Sequence, residues 1–293
     1  MTLQEQTAFN MQKHTYYIAT TGGSLALDKC TWYQVVFKFN SDGDPVILTK
    51  QEMPGDIEVF KNFEGEKVKI KRLEYNEAHR TLGYFLSPDG SNNAHYTFTS
   101  DLVHKWTSRV RSSRLTNSQI LASYETVLKR QLIYRMVSTS FSFHQCNELM
   151  KKISPVLLHS ANLQEHFPRS IMESGAEYAG FNWTHLYDLH GQEKLKFFTM
   201  HLRKNDTTGQ LLRISMKYTQ LMMGVGTPFF ELDYDRFGYL CHDSTWTQHL
   251  WEYTSSKGLH VTLSDPIVVD SPFTNDCFIM DILHNSLMLS ENE

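Results

Sequence analysis

The sequence predicts an α+β fold: an N-terminal helix with a small antiparallel sheet, followed by a mostly helical region. Three observations carry this. Short runs of aromatic and β-branched residues at near-alternating spacing fill residues 31–86, turn residues punctuate them, and beyond residue 100 the apolar spacing lengthens to three and four. With 41% hydrophobic and 20% charged residues in 293, there is enough apolar surface to offset chain entropy.

Residues 4–19 read as a helix with Ala8, Met11, Tyr16 and Ile18 on its apolar face, ended by Gly22 and Gly23. Residues 31–39 (TWYQVVFKF) read as a strand that turns at 41–44 (SDGD) and returns over 45–48, a hairpin. Residues 67–73 (KVKIKRL) alternate charge with Val68 and Ile70, giving a half-exposed strand. A last strand is expected over 81–86, before the Pro88-Asp89-Gly90 turn.

From Leu115 onward, Thr116 and Gln119 fit a capping box, with Ile120, Tyr124, Val127, Leu128 and Leu132 on one helical face. Ser142 and Gln145 repeat the pattern before Cys146, Leu149, Met150 and Ile153, and Pro155 is expected to stop that helix. Residues 185–203 and 208–223 are further helical stretches, whereas Gly, Pro and Asp interrupt 224–245 and 264–277. The expected division is an α+β region over 1–100, a basic helical region over 101–165 and a helical, acidic region over 166–293.

Charge is unevenly spread. Between Val103 and Arg135 seven cations (Lys105, Arg109, Arg111, Arg114, Lys129, Arg130, Arg135) face one acid, Glu125, whereas from Glu231 to Glu293 eleven acids face two cations. The first stretch suits phosphates and the second repels them. The competing reading is two solvated helix faces in a chain of net charge -4. Trp106, between Val103 and Val110 at helical spacing, suits a core better than a sugar contact.

Four cysteines make neither a disulfide scaffold nor a CxxC site, and the polar N-terminus lacks the layout of a signal peptide. The longest uncharged run, 218–230, is too short and glycine-broken to span a bilayer. An intracellular protein, nuclear or cytoplasmic, is therefore expected, with no membrane partner. The sequons at Asn182 and Asn205 then read as chance matches.

No GxSxG, GxxxxGK[ST], HExxH or strand-to-helix GxGxxG occurs, which removes most support for hydrolase, P-loop and dinucleotide chemistry. His144 with Cys146 and Cys241 with His242 lack a second pair at ligand spacing, so no metal site is expected. Asp233 and Asp235 would share one side of a strand and suit a divalent cation, but in FELDYDRF they fit caps and turns better.

Residues 19–39 (ATTGGSLALDKCTWYQVVFKF), followed by 80–90 (RTLGYFLSPDG), resemble the post-catalytic palm of non-LTR-like retroelement reverse transcriptases. Gly22, Gly23, Leu25, Lys29, Cys30 and Trp32 fill the first motif, and Leu82 and Gly83 fill the strand that contributes to the primer grip. The resemblance continues through ILASYETVLKRQLIYRM, FPRSIMESGAEYAGFNWTHLYDLHG and TGQLLRISM, similar to the family's thumb and C-terminal region. Two departures stand out: Ala26 where Asn is usual, and Phe181–Trp183 in place of a glycine-rich stretch.

The resemblance implies an RNA-directed DNA polymerase family, retrotransposon-borne and Mg2+-using. Its metal-holding carboxylates would lie upstream of Met1, leaving this chain without a cofactor and without templated synthesis. Lys29 would then be the residue that protonates departing pyrophosphate as a general acid, or else an exposed lysine. The expected partner is an RNA or DNA duplex held by 105–135, chiefly by Lys105, Arg109, Arg111, Arg114, Lys129 and Arg130. A nonenzymatic nucleic-acid or protein interaction module derived from such an element is the other reading.

Overall fold

A computed structural model describes residues 2–61, 65–241 and 245–263, together with Ile282. The chain divides into two compact units, Met1–His95 and Tyr96–Glu293.

The first unit opens with α1 (Leu3–Thr20), started by a capping box in which Thr2 Oγ1 accepts from Glu5 N and the Glu5 carboxylate accepts from Thr2 N. It ends as the glycines require. Gly22 takes φ 77°, and Gly23 N donates to Ile18 O at 3.1 Å. A 3-10 turn (Leu27–Lys29) leads to β1 (Thr31–Trp32), β2 (Phe37–Phe39), β3 (Pro45–Ile47), β4 (Ile57–Phe60), β5 (Lys67–Arg72), β6 (His79–Thr81) and β7 (Tyr84–Leu86).

β5 is the central strand of three. It runs antiparallel to β4, with Ile57 opposite Ile70 and Val59 opposite Val68, but parallel to β1, with Trp32 opposite Arg72. The sheet is therefore mixed rather than wholly antiparallel. A parallel pair needs a long crossover, and the stretch between β1 and β5 supplies it. Leu27, Ile57, Val59 and Ile70 form the core, with Ala8 and Met11 of α1 against it. Gln12 of α1 accepts from Phe60 N at 2.7 Å and donates to Phe60 O at 3.2 Å, satisfying backbone groups at the edge of β4. Arg72, on the buried side of β5, lays its guanidinium 5.1 Å from the Trp32 ring and donates to Met53 O at 2.6 Å.

The run 31–39 is not one strand. Its ends pair in different sheets, β1 with β5 and β2 with β3, and 33–36 link them. The hairpin β2–β3 forms as its turn demands, since Asn40 Oδ1 accepts from Asp42 N and Asp44 N while Gly43 takes φ 87°. Nor is 81–86 one strand. Leu82 (φ 50°) and Gly83 (φ 93°) form the two-residue turn of the β6–β7 hairpin, leaving Leu82 87% exposed.

The second unit is helical. It comprises α2 (Asn93–Ser112), which begins at the boundary, then α3 (Asn117–Ser123), α4 (Lys129–Met136), α5 (Phe143–Ser160), α6 (Arg169–Glu173), α7 (Leu186–Lys204), α8 (Thr207–Met223), α9 (Tyr234–Phe237) and α10 (Trp246–Ser256). The Thr116/Gln119 and Ser142/Gln145 capping boxes both form, as does one at Thr245/Gln248. A π turn, Tyr124–Leu128, joins α3 to α4 without a break. Buried Ile120, Tyr124, Leu128, Leu132 and Met136 recur every fourth residue, which in a 3.6-residue helix drifts by about 40° per step. The wider turn absorbs that drift and leaves Val127, expected on the buried face, 45% exposed.

Pro155 does not stop α5, which continues to Ser160. Ile153, Val156, Leu157 and Leu158 are all buried around it, and their packing outweighs the missing N–H. One core joins α2–α5 with the start of α7; a second lies among α7, α8 and α10, around Phe198, Met216, Phe229, Leu250 and Trp251. Between α8 and α10 the chain is irregular, and Gln220 organises it by donating to the Val225 and Thr227 carbonyls and accepting from Phe229 N. The sequence stretch 264–277 lies outside the described residues.

Candidate nucleic-acid interface

α2 presents its cations in two directions. At about 100° per residue, Lys105 and Arg109 stand one turn apart on one line, while Arg111 points about 200° round from Arg109. The buried stripe of Thr99, Val103, Trp106, Thr107 and Val110 lies between those two arginines, so they flank it from opposite sides. Arg114 lies two residues beyond the end of the helix and is exposed. The cluster expected from Lys105, Arg109, Arg111 and Arg114 therefore divides. A spacing of two cannot keep side chains together on a helix.

Trp106 belongs to the core, its Nε1 donating to Ser123 Oγ at 3.1 Å. Lys129 is paired with Glu125 at 2.9 Å one turn earlier, so a phosphate would compete with that carboxylate for it. Arg135 stacks 4.0 Å from the Phe98 ring, joining α4 to α2. Arg130 is exposed. Of the cations expected to meet phosphate, only Lys105 and Arg109 thus share a line on one helix, with Arg111, Arg114 and Arg130 as separate charges.

In the first unit, Lys29 closes the 3-10 turn and is exposed, while Leu27 two residues earlier is buried. Leu82 and Gly83 occupy a turn tip rather than the interior of a strand, so the strand expected of a primer grip is replaced by a hairpin end. Asp233 caps α9, its Oδ1 accepting from Asp235 N and from Ser255 Oγ, both at 3.2 Å. Among the described residues no three His, Cys, Asp or Glu side chains group where a metal would be held. Cys146 is buried, and burial pushes its thiol up to about 12. His242 lies outside the described residues.

Sequence reasoning missed one polar cluster. Lys194 of α7 is 1% exposed, and its Nζ donates to Ser140 Oγ at 3.2 Å and lies 5.1 Å from the Trp246 ring. Burial pushes this ammonium down to about 7. One turn earlier, buried His190 bonds the Thr139 carbonyl at 3.0 Å through Nε2, and burial pushes it down to about 3. Trp246 Nε1 donates to Val137 O at 2.8 Å. Three side chains from α7 and α10 thus hold the segment between α4 and α5. The signal was available: Tyr187, His190, Lys194 and Phe198 repeat at three and four along α7, placing a lysine on its apolar stripe.

No family model, curated protein or solved structure matches this chain.

Proposed function

We propose that the chain is a C-terminal portion of a retrotransposon-type reverse transcriptase, whose helical unit grips a nucleic-acid duplex by its phosphates and which performs no templated synthesis alone. The observation that carries this reading is the Lys105–Arg109 line. It is exposed on α2, on one flank of the stripe that anchors the helix, and no described carboxylate is paired with it. The chemistry is backbone recognition: two cations one turn apart meet neighbouring phosphates and read no bases. Lys29 keeps in this reading the role of a proton donor to pyrophosphate, exercised only beside metal-holding carboxylates supplied from elsewhere.

The test is duplex binding over a salt series. Log affinity should fall with log salt at a slope of about -0.9 per phosphate contact for B-DNA, and Lys105→Gln/Arg109→Gln should flatten it by about two contacts for every duplex sequence alike. An unchanged slope and affinity would leave these residues as a solvated face. Primer extension above a Lys29→Ala control would overturn the noncatalytic part.

A further inference from the structure

The outer face of α8 carries Leu211, Ile214, Tyr218 and Leu221, which are 60%, 62%, 46% and 54% exposed. Their spacing of three, four and three is that of an a/d seam, on a helix whose other face already buries Leu212, Met216, Thr219 and Met223. A single apolar side chain at the surface is ordinary, but four in register form a stripe made to be covered. Four half-exposed side chains fall well short of the ~800 Å² per partner of a stable protein–protein interface. A tethered segment needs far less, because its effective concentration is already in the millimolar range.

Val261, Thr262 and Leu263 line a cleft of about 280 Å³ together with Phe198, Arg213 and Met216, so the chain following α10 reaches α8 on the side that carries Arg213. Turning about the helix from that side, Lys217 comes next and the apolar stripe follows. α8 has no acid. The residues after Leu263 begin Ser-Asp-Pro-Ile-Val-Val-Asp-Ser-Pro-Phe, and 264–293 contain six acids and neither lysine nor arginine. Charge and apolarity therefore match in the order in which the chain would meet them. We propose that the segment following Leu263 docks on the outer face of α8, with Asp265 and Asp270 toward Arg213 and Lys217, and Ile267–Val269 and Phe273 on the stripe.

The experiment uses the full chain with Tyr218→p-benzoylphenylalanine, irradiated and digested with trypsin. Residues 258–293 hold no tryptic site, so the tail emerges as one peptide. The expected product is a crosslink within one molecule between peptides 218–236 and 258–293, falling by about tenfold in Ile214→Glu/Leu221→Glu as apolar contact is lost. Lys217→Glu, in which the stripe peptide becomes 214–236, should also lower the crosslink, and this exposed single change keeps the test decisive if the double variant unfolds. A covalent dimer would assign the stripe to a second copy, and the absence of a tail crosslink would leave it uncovered. Either result overturns the proposal, as does a yield indifferent to all three substitutions.

Discussion

Lys194 Nζ meets Ser140 Oγ at 3.2 Å in a site where the amine is buried and no described carboxylate pairs with it. Burial pushes its titration down to about 7 from the ordinary 10.5, so between those values the unfolded chain binds a proton that the folded chain does not. Stability from this group therefore rises with pH across that window. Below about pH 7 both states are protonated, and its destabilising contribution is complete. Cys146, pushed up to about 12, acts in the opposite sense above pH 9, so the clean range is pH 7 to 8.5. The groups facing Lys194 are Cys146 and Glu252, with His190 one turn away. Lys194→Met should be most stabilising relative to wild type near pH 7 and lose that advantage as pH rises. Urea midpoints at pH 7.0, 7.8 and 8.5 check this; a constant difference would refute it.

Pro155 offers a second test. Ala at this position restores a helical N–H toward the Lys151 carbonyl, a gain of up to about 3 kcal/mol that freer unfolded chain offsets by about 1 kcal/mol. A net stabilisation of about 1–2 kcal/mol is expected for Pro155→Ala by urea unfolding of the helical unit. A loss would mean that the ring's own packing dominates.

At the β6–β7 turn, Leu82 holds φ 50° with its side chain in solvent. Asn tolerates this conformation better, and Leu82→Asn should stabilise the first unit by roughly 0.5–1 kcal/mol. Gly83→Ala, at φ 93°, should destabilise it by about 1 kcal/mol or more. Thermal melts decide the sign. Duplex affinity measured on Leu82→Asn separately reports whether the exposed Leu82 side chain touches nucleic acid.

Arg111 provides the internal control for the duplex grip. Because it leaves α2 about 200° from Arg109, Arg111→Gln should change duplex affinity by less than half as much, in log units, as Lys105→Gln/Arg109→Gln. Comparable losses would show that the duplex wraps both sides of the helix.

Much of this fold was legible because its signals are local. Thr116 with Gln119 and Ser142 with Gln145 mark helix starts by bonds spanning three residues, and Asn40 and Gly43 shape a turn by themselves. The missed features depend on partners far along the chain. β4, four residues long, is a strand because Ile57 and Val59 meet Ile70 and Val68. Pro155 is tolerated because of the core around it. Leu82 and Gly83 read as strand because Thr81, Tyr84 and Phe85 around them suit one, whereas the turn needs the positive φ that Gly83 makes easy. For the candidate interface, composition located the cations, but counting charges along a line hid the angle between Arg109 and Arg111. Lys194 was hidden because a lysine is ordinarily taken for a surface residue.

The segment between α4 and α5 has a history as well as a place. Its carbonyls and hydroxyl are met by His190, Lys194 and Trp246, respectively 51, 54 and 109 residues further along. During synthesis, therefore, α3 to α5 emerge with Val137, Thr139 and Ser140 still bonded to water, and the bend joining them acquires its final partners only once α7 and then α10 have been made. Contacts of such separation slow folding, because the closure entropy must be met before the contact can reward it. A chain interrupted before residue 186 would keep the helices that local sequence specifies while leaving the Cys146 and Leu149 side of the core without the start of α7. The order of translation is thus built into which atoms hold this bend.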